Sequence, residues 1–425
     1  MTQEKRLNRY YGFLIFIMLF LYATTMLVKQ VFIAETVELI DVFNTTATKI
    51  SLCNLFYYIA YAISQAVLSI FIDRINLKYY VSITTGLSAI GYALIAIIGR
   101  NGGGITFLYI SFTLIGILQA GVFGSCIKIF SMYLSEKMYI LAVRILTTIT
   151  IVSLIGSYLV CSYYVAMQRW DIPFIIFAVM LLIAVVLFFT LINRTAKKIL
   201  SLGHVSDSKQ DIDYSHQSKS FKKIEGGYFT FICAILLLCH LLHYSLNSWM
   251  PTILYNNFNL DKSYSILLSV SVSIAVALST NVGISLFRDS KRPFIKTSYF
   301  YIVSIVCAIL LIFLYDKIMI VSLLLCLICL STIAIARGGY NSVNSYKVRH
   351  IVDPGKYSMI GNAAASIAAG SAPTLFSLLF ENFGWSFSFG AFAVLIILTF
   401  VIAVSCQIMQ NKLFSAFEKE KSKNN

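Results

Sequence analysis

Charge is scarce in this chain. Asp, Glu, Lys and Arg make up 12% of its 425 residues, where a soluble domain carries about 25%. Apolar residues reach 59%, too many for a surface clothed in water. Apolar stretches of about 20 residues, the length that crosses hydrocarbon, recur from end to end. Strict polar–apolar alternation is missing, which excludes a transmembrane barrel. Backbone donors in lipid must be satisfied inside each segment, so these stretches are expected to be helices.

Other absences narrow the function. No G-x-x-x-x-G-K-[ST] occurs, so the chain lacks its own ATP-driving phosphate loop. The nine cysteines lie almost wholly in apolar stretches. One C-x-x-C, Cys326 and Cys329, has no second pair and reads as packing, not metal or redox chemistry. No nucleophile–base pair is placed for catalysis, so neither an enzyme nor a cofactor is expected. The basic start (Lys5, Arg6, Arg9) looks like that of a signal peptide. The apolar run that follows, Tyr11 to Phe32, is too long for a cleaved core, and no A-x-A-like site ends it. It reads as a retained first span.

The charge that is present is unevenly placed. Expected spans are 11–36, 50–72, 79–99, 105–129, 139–161, 173–193, 227–250, 264–287, 294–315, 318–346, 357–380 and 385–409. Lys49, Arg100, Arg169, Lys262 and Lys317 fall on one side of these spans, and Lys29 and Arg337 fall inside them. The rest of the 33 Lys and Arg lie on the other side. Cytoplasmic loops carry such an excess, so both termini are expected inside the cell, with the chain in the cell membrane. The net charge of +15 is thereby a topology signal, and no nucleic-acid partner is expected. The one long polar segment divides the spans six and six. The expected units are 1–193, a cytoplasmic linker at 194–226, a second bundle at 227–410, and a tail at 411–425.

The two halves show a weak repeat. Ser69, Asp73, Arg74 and Lys78 follow span two; Gly283, Arg288 and Arg292 follow span eight. Laid together, each loop has a small residue, then an Arg, then a further basic residue at matching positions. The bland alternative is two basic loops. A 6+6 chain with S-x-x-x-D-R-x-x-x-K after span two resembles the major facilitator superfamily. Ser69 stands where that family usually has glycine. The resemblance implies an all-α fold of two six-helix bundles, with substrate bound at the midplane between them.

Ionisable residues inside lipid are costly and mark functional sites. Lys29 lies in span one and Arg337 in span ten. His240 and His243 lie in span seven, three apart and so on one helix face. Each has a second reading. Lys29 can reach outward to Glu35 or Glu38. Arg337 can brace backbone carbonyls. The histidines can be ordinary buried residues, and two of them without a third ligand make a poor metal site. The 18 Asp and Glu all fall in loops, termini or span ends, Glu35 and Glu381 coming closest to the interior. Buried cations without buried acids suit an anionic substrate, carried by exchange.

Two segments sharpen the resemblance. Tyr22 to Phe32, with Lys29 and Gln30, looks like the first span of the organophosphate:phosphate antiporters, the glycerol-phosphate and hexose-phosphate carriers. Leu241-Leu242-His243-Tyr244 with Trp249, Pro251 and Leu254 is similar to their seventh. Pro354 and Phe383-Gly384-Trp385 also fit. In that family two Arg residues, one per half, cradle phosphate, and by position they correspond to Lys29 and His243. Gln30 and Gln65 replace lysines, Ile151 replaces a histidine, and Arg337 is an addition. An Arg fork grips phosphate; Lys is a point charge and His titrates. The implied function is a secondary carrier of a small organic anion, with phosphate or a proton as coupling ion. Lys29, His243 and Arg337 would bind it, with Tyr22, Gln30, Gln65 and His240 as polar neighbours. Asp73, Arg74, Lys78 and Arg288 would act as the conformational loop motif. A carboxylate or sugar symporter of the same fold, and a transporter-like sugar-phosphate sensor, are the alternatives.

Overall fold

The computed structural model describes residues 3–71, 74–202, 219–287, 290, 292–346 and 354–424. All regular structure among them is helical. The chain divides into two compact units, Met1–Asp211 with Asp261–Val270, and Ile212–Leu260 with Ser271–Asn425.

The first unit holds α1 (Gln3–Ala34), α2 (Thr36–Val42), α3 (Ala47–Phe71), α4 (Leu77–Arg100), α5 (Ile105–Gln119), α6 (Val122–Tyr133), α7 (Glu136–Ala166) and α8 (Asp171–Ser201). Helix α1 packs against α7 and α8, α3 against α5, and α4 against α8. Hydroxyls stitch α7 to α1. Ser153 donates to the Ala23 carbonyl at 3.2 Å and Ser157 to the Leu27 carbonyl at 2.6 Å. Small polar residues make such contacts where lipid leaves no hydrophobic drive between helices. Helix α4 starts where the Asn76 side chain accepts from the Lys78 amide at 3.2 Å, closing one of the four open donors of a helix start.

The second unit holds α9 (Lys219–Phe258), most of α10 (Lys262–Phe287), α11 (Pro293–Leu314), α12 (Met319–Tyr346) and α13 (Pro354–Asn424). Helix α13 packs on α9 and α11, and α12 on α11 and α9. Backbones of α10 and α12 touch through two glycines: a Cβ on Gly283 would strike the Ile335 carbonyl, and one on Gly338 the Thr280 carbonyl. Gly384 interrupts α13 at φ 83°, ψ 170°, a conformation that glycine takes without a Cβ clash. Trp385 then stacks on Phe380, ring centroids 4.1 Å apart.

Among the described residues, eleven helical stretches are long and apolar enough to cross a membrane. The last, Ala363–Glu418, is about 84 Å long at 1.5 Å per residue, which is two crossings of a hydrocarbon core of about 30 Å. The break at Gly384 falls inside it, so the all-α fold has twelve spans. Helix faces turned outward are apolar: Ile63, Val186 and Phe313 are each at least 60% exposed, a surface that lipid covers.

Span ends differ from expectation. Helix α8 runs on to Ser201 and α9 begins at Lys219, so Arg194, Lys197, Lys198, Lys222 and Lys223 stand on helical turns. Hydrophobicity marks where hydrocarbon stops. The helix's own hydrogen bonds continue past that point.

Candidate functional site

In the first unit the site residues gather on α1 and α3. Lys29 is half-buried, and its Nζ lies 4.3 Å from the ring centre of Tyr58, 4.9 Å from Tyr57 and 5.7 Å from Tyr61. Ring quadrupoles attract an ammonium at such distances, by about 0.5–2 kcal/mol each. Tyr57, Tyr58 and Tyr61 share a face of α3 through helical spacing, and Gln65 stands one turn beyond Tyr61. The reach from Lys29 to Glu35 or Glu38 does not occur: Glu38 is bound by Lys262 at 2.8 Å, and among the described residues only the weak thiol donor of Cys161 adjoins Glu35. Tyr22 is buried, with its hydroxyl 3.5 Å from Thr150 and its ring beside Phe123. Gln30 is buried too, and as the residue next to Lys29 it points about 100° away from it.

The tyrosine face was not singled out from the sequence. Its signal was Tyr57-Tyr58-x-x-Tyr61 opposite the one lysine of span one. Beneath it, the Tyr57 hydroxyl donates to Gln119 at 2.8 Å, which orients the ring.

In the second unit α9 and α12 carry the site. Arg337 is half-buried. Its guanidinium donates to the Thr280 hydroxyl at 3.2 Å, and no carboxylate pairs with it among the described residues. The bracing alternative is met in part, through a hydroxyl of α10. The helix of Arg337, α12, packs on α9, which carries His240 and His243. The Tyr244 ring lies 5.9 Å from the His240 ring and 4.9 Å from that of His243. His240 Nδ1 is buried with no hydrogen-bond partner among the described residues, which is costly unless something else meets it. This group therefore offers a forked cation, an imidazole nitrogen and a phenol to a ligand. Trp249, from the same sequence segment, is structural. It is 1% exposed, and its indole donates to the Pro373 carbonyl at 2.8 Å.

Among the described residues no His, Cys, Asp and Glu group could hold a metal. Of the loop motif, Asp73 and Arg288 lie outside the described residues. Arg74 is exposed in the turn after α3. Lys78 lies over the Phe189 ring at 4.0 Å.

The Major Facilitator Superfamily model matches residues 12–360. The chain belongs to this superfamily. Two solved structures share its fold. Both are of a bacterial homolog of the human lysosomal transporter Spinster, inward-facing, one unoccupied and one occupied. Their TM-scores are 0.74 and 0.66. Each is 13% identical, over 96% of this chain and 98% of theirs. No curated protein matches the sequence. Membership of the superfamily places the chain among multi-pass membrane proteins of transporter fold. The narrower likeness to organophosphate antiporters rests on the first- and seventh-span segments, with Pro354 and Phe383-Gly384-Trp385.

Proposed function

We propose that this major facilitator protein is a secondary transporter of a small organic anion, working by alternating access in the cell membrane with both termini cytoplasmic. Arg337 carries the reading: a half-buried guanidinium at membrane depth, steadied by Thr280, on a helix packed against the one that carries the two histidines, with no carboxylate partner among the described residues. A charge in lipid that its own protein leaves uncompensated needs a counter-charge, and an anionic substrate supplies one. Lys29 among its tyrosines adds a second cation, in the first unit. A phosphate ester exchanged for phosphate is the preferred substrate class. The likeness to the glycerol-phosphate carriers at Tyr22–Phe32 and Leu241–Leu254 supports it.

The test is thermal stability of the purified chain with phosphate esters, inorganic phosphate, carboxylates and neutral sugars. A ligand at 100 times its dissociation constant adds about 2.7 kcal/mol. The stabilising compound is then assayed, as radiolabel, for uptake into liposomes. Stabilisation by neutral sugars and by no anion would overturn the reading. Binding without flux would favour the sensor alternative.

A further inference from the structure

At the far end of α1 from the N-terminus lies an acid that the anion site does not use. Glu35 joins α1 to α2, with φ −97° and ψ 11°. It is 0% exposed, and neither carboxylate oxygen has a hydrogen-bond partner among the described residues. The Cys161 thiol of α7 is the polar neighbour, and it offers only a weak S–H. Other acids around it have their cations. Asp171, at the start of α8, is bound by Arg100 at 2.7 Å and Arg169 at 3.0 Å. Glu38, on α2, is held by Lys262 at 2.8 Å, and the same ammonium binds Asp41. Among the described residues Glu35 has none.

A carboxylate stripped of water, with no cation and with acids nearby, is unfavourable; the protonated acid is the form such a place holds. The groups facing Glu35 are Glu38 from α2, Cys161 from α7 and Asp171 from α8. None supplies a positive charge. The cover is specific as well. One turn beyond Glu35, α2 presents Glu38 and Asp41 to Lys262, the first residue of α10. Beside it Ser263 donates to the Ser162 carbonyl at 2.6 Å, and Ser162 to the Ser263 carbonyl at 2.9 Å. Lys262 and Ser263 thus cap the helix ends around the buried acid.

We propose that Glu35 is a proton-binding site, closed off by the Lys262 clamp on Glu38 and Asp41 and opened to water when that clamp releases. A hydronium ion in the water at that end gives up the proton, which bonds to a carboxylate oxygen of Glu35 and leaves a neutral water behind. This deepens the transport reading on which it rests, because a proton loaded there is a coupling ion. It also revises the expectation that acids play no interior part: Glu35 lies at a span end by sequence, yet is fully enclosed.

Infrared spectroscopy of the full chain in liposomes tests this without any substrate, so its failure is distinct from failure of the anion assay. At about neutral pH the wild type should show the carbonyl stretch of a protonated carboxylic acid. Glu35→Gln, which copies the neutral acid, should lose that band. Glu35→Asp should keep it, shifted, which separates loss of the group from loss of the fold. In deuterated water the wild-type band should exchange slowly. Lys262→Gln should speed exchange at least about tenfold, the factor given by about 1.4 kcal/mol of lost closure. A wild type without the band, a band that survives in Glu35→Gln, or exchange unchanged in Lys262→Gln would each overturn the proposal.

Discussion

At the scale of single residues, Arg337 and Lys29 make separable predictions. A hydrogen bond to a charged group contributes about 1.5–3 kcal/mol, so Arg337→Gln should weaken anion binding at least about tenfold. Arg337→Lys should recover part, since charge returns without the fork. Titration calorimetry on the ligand found by stabilisation measures both. Lys29→Gln should abolish uptake while the protein still reaches the membrane, and Lys29→Arg should retain some. Wild-type uptake by Lys29→Gln would mean that the tyrosine face holds Lys29 for structural reasons alone. His243→Arg restores a fork and should move preference toward phosphate-bearing ligands, with a flatter dependence of affinity on pH. An unchanged profile would mean that His243 does not titrate in the site. The cations and histidines were legible in the sequence because charge in an apolar run stands out. Tyr57, Tyr58 and Tyr61 were not. Tyrosine is common in this chain, 26 of 425 residues, and only the fold turns three of them toward Lys29. The full enclosure of Glu35, placed by sequence at a span end, was not legible for a related reason: distance along a span says nothing about what packs over its end.

At the scale of elements, the α10–α12 approach sets the position of Arg337. Gly338 is its chain neighbour, and the Thr280 that receives Gly338 by its carbonyl receives Arg337 by its hydroxyl. A side chain at Gly338 would push α12 away from α10. Gly338→Val should therefore destabilise the chain by about 2 kcal/mol through overpacking and reduce anion binding along with it. Ligand-free and ligand-bound melting temperatures read the two effects separately. Unchanged melting would show that the helices relax around the new side chain. Twelve spans were readable from runs of apolar residues. The close approaches were not, because they depend on which glycine faces which carbonyl.

At the scale of the whole molecule, the placement of Lys and Arg predicts topology. Cysteines introduced at 194–225 should react with an impermeant reagent only in opened cells, and labelling of intact cells would reverse the orientation. The superfamily was legible because its architecture follows from span number, a central polar break and one loop motif. Substrate class was not, because it depends on a few side chains that depart from the nearest pattern. One consequence follows from helix length. At 40 residues, α9 is about 60 Å long, twice the hydrocarbon thickness. Half of it must therefore stand outside hydrocarbon, and exposed Lys222 and Lys223 sit near its outlying end. Exposed Arg194, Lys197 and Lys198 occupy the corresponding overhang of α8. Basic turns at headgroup depth attract anionic lipid by about 1 kcal/mol per residue near the surface. The bilayer's own composition thus becomes a variable of this transporter. Its melting temperature should rise when acidic phospholipid replaces zwitterionic lipid at constant chain length, and that gain should fade as salt shortens the Debye length.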